Sequence, residues 1–133
     1  MEHFNFTQLD TLFAPRSIAV VGASEQTTKI GGIPLDYLRR FGYSGRLHAV
    51  NPRARSVQGL PAHESLRAIG APVDMAIVAV PQAQVAAVLD DAADAGVRTM
   101  VLFSSGYAEV GAEGAAQQQA LAARAQAAGI RLL

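Results

Sequence analysis

Ser17-Ile18-Ala19-Val20-Val21-Gly22-Ala23-Ser24 decides how the whole chain reads. A short apolar run rich in branched residues that closes on glycine suits a strand buried on both faces. Three further runs have the same build. Arg46 to Val50 ends at Asn51-Pro52, Asp74 to Val80 ends at Pro81, and Val97 to Phe103 leads into Ser104-Ser105-Gly106. Helical spacing fills the gaps between them. Ile33 to Phe41 carries Pro34 in its first turn, where proline is tolerated. Leu35, Leu38 and Phe41 line one side of that helix, and Gly42 stops it. After Pro81, the residues Val85, Val88, Leu89, Ala92 and Ala93 recur at intervals of three and four. Asp90, Asp91 and Asp94 fall on the opposite, solvated side. Gly111 to Ala128 is an alanine- and glutamine-rich helix. Gly96 and Gly129 each end a helix and start a strand.

Shorter elements complete the reading. Residues 7 to 13 form a leading helix ended by Pro15, within an arm over residues 1 to 14. Val57 to Pro61 is a short third strand, His63 to Ile69 a short helix, and Ile130 to Leu133 opens a last strand. Strands alternating with helices predict an α/β fold with right-handed crossovers. The expected architecture is a Rossmann-like, doubly wound, mostly parallel sheet with helices on both faces. The 133 residues suffice for a single domain. Because the chain stops just inside a strand, a fragment of a longer multidomain polypeptide is expected.

Composition removes several function classes. With no cysteine there is no disulfide scaffold, thiolate metal site or cysteine nucleophile. Eleven basic and 11 acidic residues balance, so no broad surface for nucleic acid is expected. No apolar run approaches the ~20 residues that span a bilayer, and the first residues lack the pattern of a signal peptide. A soluble, cytoplasmic protein without membrane contact is expected. His3, His48 and His63 show no metal-ligand spacing, and His48 reads as structural. No Ser/His/Asp arrangement assembles, so neither a catalytic residue nor a metal is assigned.

Ligands of open parallel sheets bind beyond the carboxyl ends of the strands. Four exits therefore form one candidate site. At the first, Gly22 permits a sharp turn, Ala23 follows it, and Ser24 offers a hydroxyl and an N–H. Lys29, Gly31 and Gly32 then lead into a helix whose free N–H groups can hold phosphate. The dinucleotide fingerprint G-x-G-x-x-G is broken, with Ser24 at its second glycine, and no P-loop is present. The second exit is Asn51-Pro52-Arg53-Ala54-Arg55. A carboxylate that would accept from the ribose of NAD is missing, and two guanidinium groups suit phosphate. Coenzyme A and NADP both meet that description. Val80 and Pro81 terminate the third strand and offer an apolar wall. Ser104, Ser105 and Gly106 supply hydroxyls and a turn at the fourth, and Glu109 beyond them reads as an exposed loop carboxylate.

Taken in order, Ser-Ile-Ala-Val-Val-Gly-Ala-Ser, Lys29 with Gly31, Val50-Asn51-Pro52, Val78-Ala79-Val80-Pro81 and Ser104-Ser105-Gly106-Tyr107-Ala108-Glu109 resemble the N-terminal CoA-binding domain of NDP-forming acyl-CoA synthetases. Relatives of that family are the α subunit of succinyl-CoA ligase and acetyltransferases that fuse the module to a second enzyme domain. The resemblance implies CoA or acyl-CoA as ligand across the same four exits. It implies an acid–thiol ligase as the parent enzyme, working through acyl-phosphate and phosphohistidine steps. It places the ligase and ATP-grasp domains elsewhere, in the same chain or a partner subunit, and leaves room for an oligomer. This chain alone is expected to bind CoA and not to catalyse. The alternatives are an NAD(P)-binding domain of an oxidoreductase or redox sensor, and a stand-alone CoA-binding module.

Overall fold

A computed structural model describes residues 14–103 and 111–133. The expected leading helix at 7–13 and the fourth strand exit, Ser104 to Glu109, lie outside the described residues. Strands β1 (Ser17–Val21), β2 (Arg46–Val50), β3 (Ser56–Val57), β4 (Leu60–His63), β5 (Met75–Val78), β6 (Thr99–Leu102) and β7 (Arg131–Leu132) form one sheet in the order β3-β4-β2-β1-β5-β6-β7. All neighbours run parallel except the β3–β4 pair. Helix α1 (Ile33–Arg40) connects β1 to β2, α2 (Gln82–Asp94) connects β5 to β6, and α3 (Ala112–Ala127) connects β6 to β7. This is the doubly wound Rossmann-like order, with the short β3 added at one edge.

Alternation along the strands builds two cores. Ala19 and Val21 of β1 face one way, with Ala76, Val78 and Met100, and meet Val85 and Leu89 of α2 and Leu121 of α3. Ile18 and Val20 face the other way and meet Leu35 of α1. Every residue of β1 is buried, which explains why its sequence shows no polar alternation. Gly96 and Gly129 sit at φ +78° and +74°. The next amides reach back into the helices, Val97 N–H to Ala92 O and Ile130 N–H to Ala125 O, each at 2.9 Å. These are the cap closures that the repeated glycine punctuation predicts.

Four local expectations need correction. The single strand at Val57–Pro61 is instead an antiparallel hairpin, β3 and β4, turned by Gln58 and Gly59. The helix expected from His63 shrinks to one 3₁₀ turn at Arg67–Ile69, because His63 is spent as the last residue of β4, opposite Val50. Phe41 does not line α1; it follows the helix end and is 82% exposed. Asp91 is not part of a solvated face. Its carboxylate accepts from Leu66 N at 2.7 Å and from Arg67 N and Nε at 3.2 and 3.0 Å, pinning the β4–β5 connection onto α2.

His48 stands on β2 with its ring 6.2 Å from that of His63. Burial, then His63 and Arg46, hold its pKa below the ordinary value, so the ring stays neutral over a wider range. Its Nε2 is buried without a hydrogen-bond partner among the described residues.

The Asp91 contacts lead to a comparison of two neighbouring carboxylates. Asp91→Ala strands two backbone donors and should lower the unfolding free energy by about 2 kcal/mol. Asp94→Ala removes only an exposed pair with Arg67 and should cost under about 0.5 kcal/mol. Urea denaturation of the two variants reads the difference, and equal effects would contradict the assignment.

Candidate functional site

Strand order reverses between β1 and β5, so the carboxyl ends of β1, β2 and β5 open onto the crevice where such sheets take ligands. Leaving β1, the chain turns at Gly22, with φ +82°. The amides of Gly22 and Ala23 both donate to Val50 O, at 3.0 and 3.2 Å. A Cβ on Gly22 would lie 2.4 Å from Ala79 O, so the turn presses directly on the β5 exit. The loop then folds back. Ser24 N donates to Gly31 O at 3.1 Å, and a Cβ on Gly31 would lie 1.9 Å from Gly22 O. Lys29 O accepts from Gly32 N and Ile33 N, both at 2.9 Å.

These bonds change how the first exit can act. The N–H of Ser24 and those of Gly32 and Ile33 at the start of α1 were expected to be free for phosphate. They are consumed in closing the loop. The Ser24 hydroxyl accepts from Gln26 N at 3.1 Å and keeps its own proton to donate. Lys29 is exposed on the outside of the same loop.

At the second exit the Asn51 side chain is engaged at both ends. Its Nδ2 donates to Ala23 O at 2.9 Å, and its Oδ1 accepts from Arg53 N at 2.8 Å. Asn51 thereby fastens the β2 exit to the β1 exit and bends the chain through Pro52. Arg53 and Arg55 are exposed, and neither they nor Lys29 pairs with a carboxylate among the described residues. At the third exit Val80 lies against the Gly22 turn, and Pro81 is the N-cap of α2. The first amides of that helix thus start at the site, an anion-favouring feature that the sequence signals only through the position of Pro81.

The structure therefore brings Gly22, Ala23, Gly31, Asn51 and Val80 into direct contact, with Ser24, Lys29, Pro52, Arg53, Arg55 and Pro81 around them. Ser104, Ser105 and Gly106 fall outside the described residues. Sequence reasoning missed Gln58. Its side-chain Nε2 donates to Ser24 O at 2.9 Å and to Gly32 O at 3.1 Å. A Gln-Gly pair carries no strong turn signal, so nothing in the sequence announces that reach. Another cleft, of about 720 Å³, opens beside Val73, Asp74, Gly96 and Arg98. It lies at the amino ends of β5 and β6, away from the strand exits.

Comparison with known proteins identifies the family of the chain. A family model described as a CoA binding domain matches residues 16–133. The chain is 36% identical over 125 residues to an ADP-forming acetate–CoA ligase of Archaeoglobus fulgidus, covering 94% of this chain and 18% of that protein. It is 35% identical to the α subunit of an ADP-forming acetate–CoA ligase of Pyrococcus furiosus, covering 94% and 27%. Among solved structures, the apo form of a dinucleotide-forming acetyl-coenzyme A synthetase from Ca. Korarchaeum cryptofilum superposes with a TM-score of 0.89. Identity there is 38%, over 94% of this chain and 27% of that one. The chain thus spans well under a third of these relatives.

Two glycines, Gly31 within this loop and Gly42 after α1, yield a graded test. Gly31→Ala drives a Cβ into backbone and should destabilise by about 3 kcal/mol, the upper range for overpacking. Gly42→Ala meets nothing within 4 Å and suffers only from its φ of +75°, at about 1 kcal/mol. Thermal or urea unfolding should rank them in that order.

Proposed function

The chain belongs to the CoA-binding domain family, and on that premise we propose that it binds coenzyme A or an acyl-CoA across its strand exits. The family match favours CoA over NADP, and the observation that sets the site apart from one for NAD is the double engagement of Asn51. A dinucleotide site needs an acceptor at the end of the second strand for the ribose hydroxyls. Here that position is an amide locked into the fold, followed by two unpaired guanidinium groups. A ligand with a phosphate on its ribose suits them.

In this proposal the pyrophosphate lies over Gly22, Ala23 and Ser24, with Gly31 keeping the loop low enough for close approach. The Ser24 hydroxyl and Lys29 donate to it. Arg53 and Arg55, beyond Asn51 and Pro52, take the ribose phosphate through charge-assisted hydrogen bonds. Val80 and Pro81 form an apolar wall toward the pantetheine arm, with Ser104, Ser105 and Gly106 continuing that path. No Ser/His/Asp arrangement in the sequence activates these hydroxyls, and in this proposal the domain binds and orients.

The relatives' names supply the wider setting. We propose that the chain is a single module of an acid–thiol ligase that joins a carboxylic acid to CoA at the cost of a nucleoside triphosphate. The nucleotide-binding and ligase domains would lie in the same polypeptide or in a partner subunit.

Calorimetric titration with CoA, acetyl-CoA, NAD and NADP tests the ligand. CoA and acetyl-CoA should bind, with NAD and NADP at least about tenfold weaker, a difference of about 1.4 kcal/mol. Tight NAD(P) binding without CoA binding would overturn the proposal. The double variant Arg53→Glu with Arg55→Glu should weaken CoA about tenfold or more, since such bonds are worth about 1.5–3 kcal/mol each. Dephospho-CoA should be affected far less. Equal weakening of both ligands would place that phosphate elsewhere.

A further inference from the structure

The turn between β3 and β4 consists of Gln58 and Gly59, at φ +50° and +81°. Two successive left-handed residues make the tight hairpin turn that Asn-Gly or Gly-Gly fills most easily. Gln58 is the one non-glycine residue at positive φ among the described residues. A residue with a Cβ is disfavoured in that region, and such strain persists only where surrounding contacts over-determine it.

Four contacts do so, and none lies within the hairpin. The side-chain Nε2 donates to Ser24 O and Gly32 O, at 2.9 and 3.1 Å. The backbone N–H donates to the Glu25 carboxylate, and the backbone carbonyl accepts from the Arg39 guanidinium. One side-chain amide thus holds a carbonyl near the start of the loop that joins β1 to α1, that of Ser24, and the last carbonyl before the helix, that of Gly32. Asparagine would relieve the turn but is one methylene shorter. The residue present is wrong for the turn and right for the loop.

We propose that Gln58 is a positioning residue for the coenzyme site, acting as a clasp from the β3–β4 turn. It fixes the β1–α1 loop at Ser24 and at Gly32, so that the Ser24 hydroxyl and Lys29 are already arranged when the phosphates arrive. The same turn holds the Glu25 carboxylate on the hairpin side, where it is occupied by an N–H. Released, that negative charge would be free to oppose an incoming phosphate. Gln58 acts through the loop and makes no contact with the ligand. The proposal rests on the coenzyme A reading above.

The test uses Gln58→Gly and Gln58→Asn, each with three readouts. These are the unfolding midpoint, amide hydrogen exchange at Ser24 and Gly32 in the ligand-free protein, and calorimetric titration with CoA. Both substitutions ease the backbone, which offsets the two lost side-chain bonds, so the midpoint should change little. Exchange at the two amides should quicken about tenfold. CoA affinity should fall measurably, scaled by the fraction of molecules that still hold the binding arrangement. Failure of asparagine to rescue shows that reach matters, not amide chemistry. Unchanged exchange in both variants overturns the clasp. Faster exchange with unchanged CoA affinity confines Gln58 to the fold and overturns the positioning role, as does an affinity loss that merely follows a collapse of the midpoint. Absence of CoA binding by the unaltered protein overturns the coenzyme reading, and this proposal with it. It is seen before any variant is compared, so the two failures are distinguishable.

Discussion

Two amides, those of Gly22 and Ala23, converge on the single carbonyl of Val50, and much of the site follows from that convergence. It forces the chain leaving β1 to cross toward the end of β2 instead of rising away from the sheet. The turn this requires has φ +82° and runs within van der Waals reach of Ala79 O, so neither position nor conformation leaves room for a side chain. The loop must then return over Gly22, which Gly31 alone permits. Asn51 completes the arrangement by donating to Ala23 O from the far side. Strand exits that are distant in sequence become one rigid floor.

That floor is built by using up the backbone donors that Gly-rich phosphate-binding loops present to their ligand. In a Gly-rich loop opening directly into a helix, the free amides of the first turn receive the phosphate. Here the loop is longer, and its amides close it upon itself. In the proposed complex, recognition therefore falls to groups around the loop: the Ser24 hydroxyl, Lys29, Arg53 and Arg55, and the first amides of α2. The consequence is a change in the kind of specificity. Backbone cradles recognise a pyrophosphate wherever it occurs. Side chains set on separate strand exits respond to how far apart a ligand carries its phosphates.

The parts of this that could be read from sequence are those determined by burial. β1 and β5 lie between other strands with both faces covered, and their unbroken apolar runs identify them. The glycines after α2 and α3 are readable because the left-handed cap is a local requirement. The β3–β4 hairpin was not readable, since Pro61 and the Gln-Gly turn both argue against paired strands. What holds it is tertiary, through Arg39 and the loop after β1. Asp91 was misread for a similar reason: its neighbours on the helix are solvated, and its partners come from a connection distant in sequence. The first two exits are legible from the position of their residues at strand ends. The roles of their amides are not, because hydrogen bonding across a loop leaves no periodic trace. Gln58 escaped altogether, as its conformation violates the preference by which turns are recognised.

A formally neutral chain that takes a highly charged ligand must localise the attraction. Exposed guanidinium groups in water interact weakly with a distant phosphate, and salt screens them beyond about 10 Å. Long-range steering therefore contributes little here. In the proposed complex the energy would arise as the ligand covers Arg53 and Arg55, displaces water and lowers the local dielectric, which strengthens a contact that is weak while open. Such a mechanism works only if the partners are already placed, because no field draws them together. This is why the rigidity imposed at Val50 O and Asn51 matters for affinity as well as for stability. The fold holds the basic groups apart at fixed strand ends, and the ligand's own shape decides whether all of them are met at once.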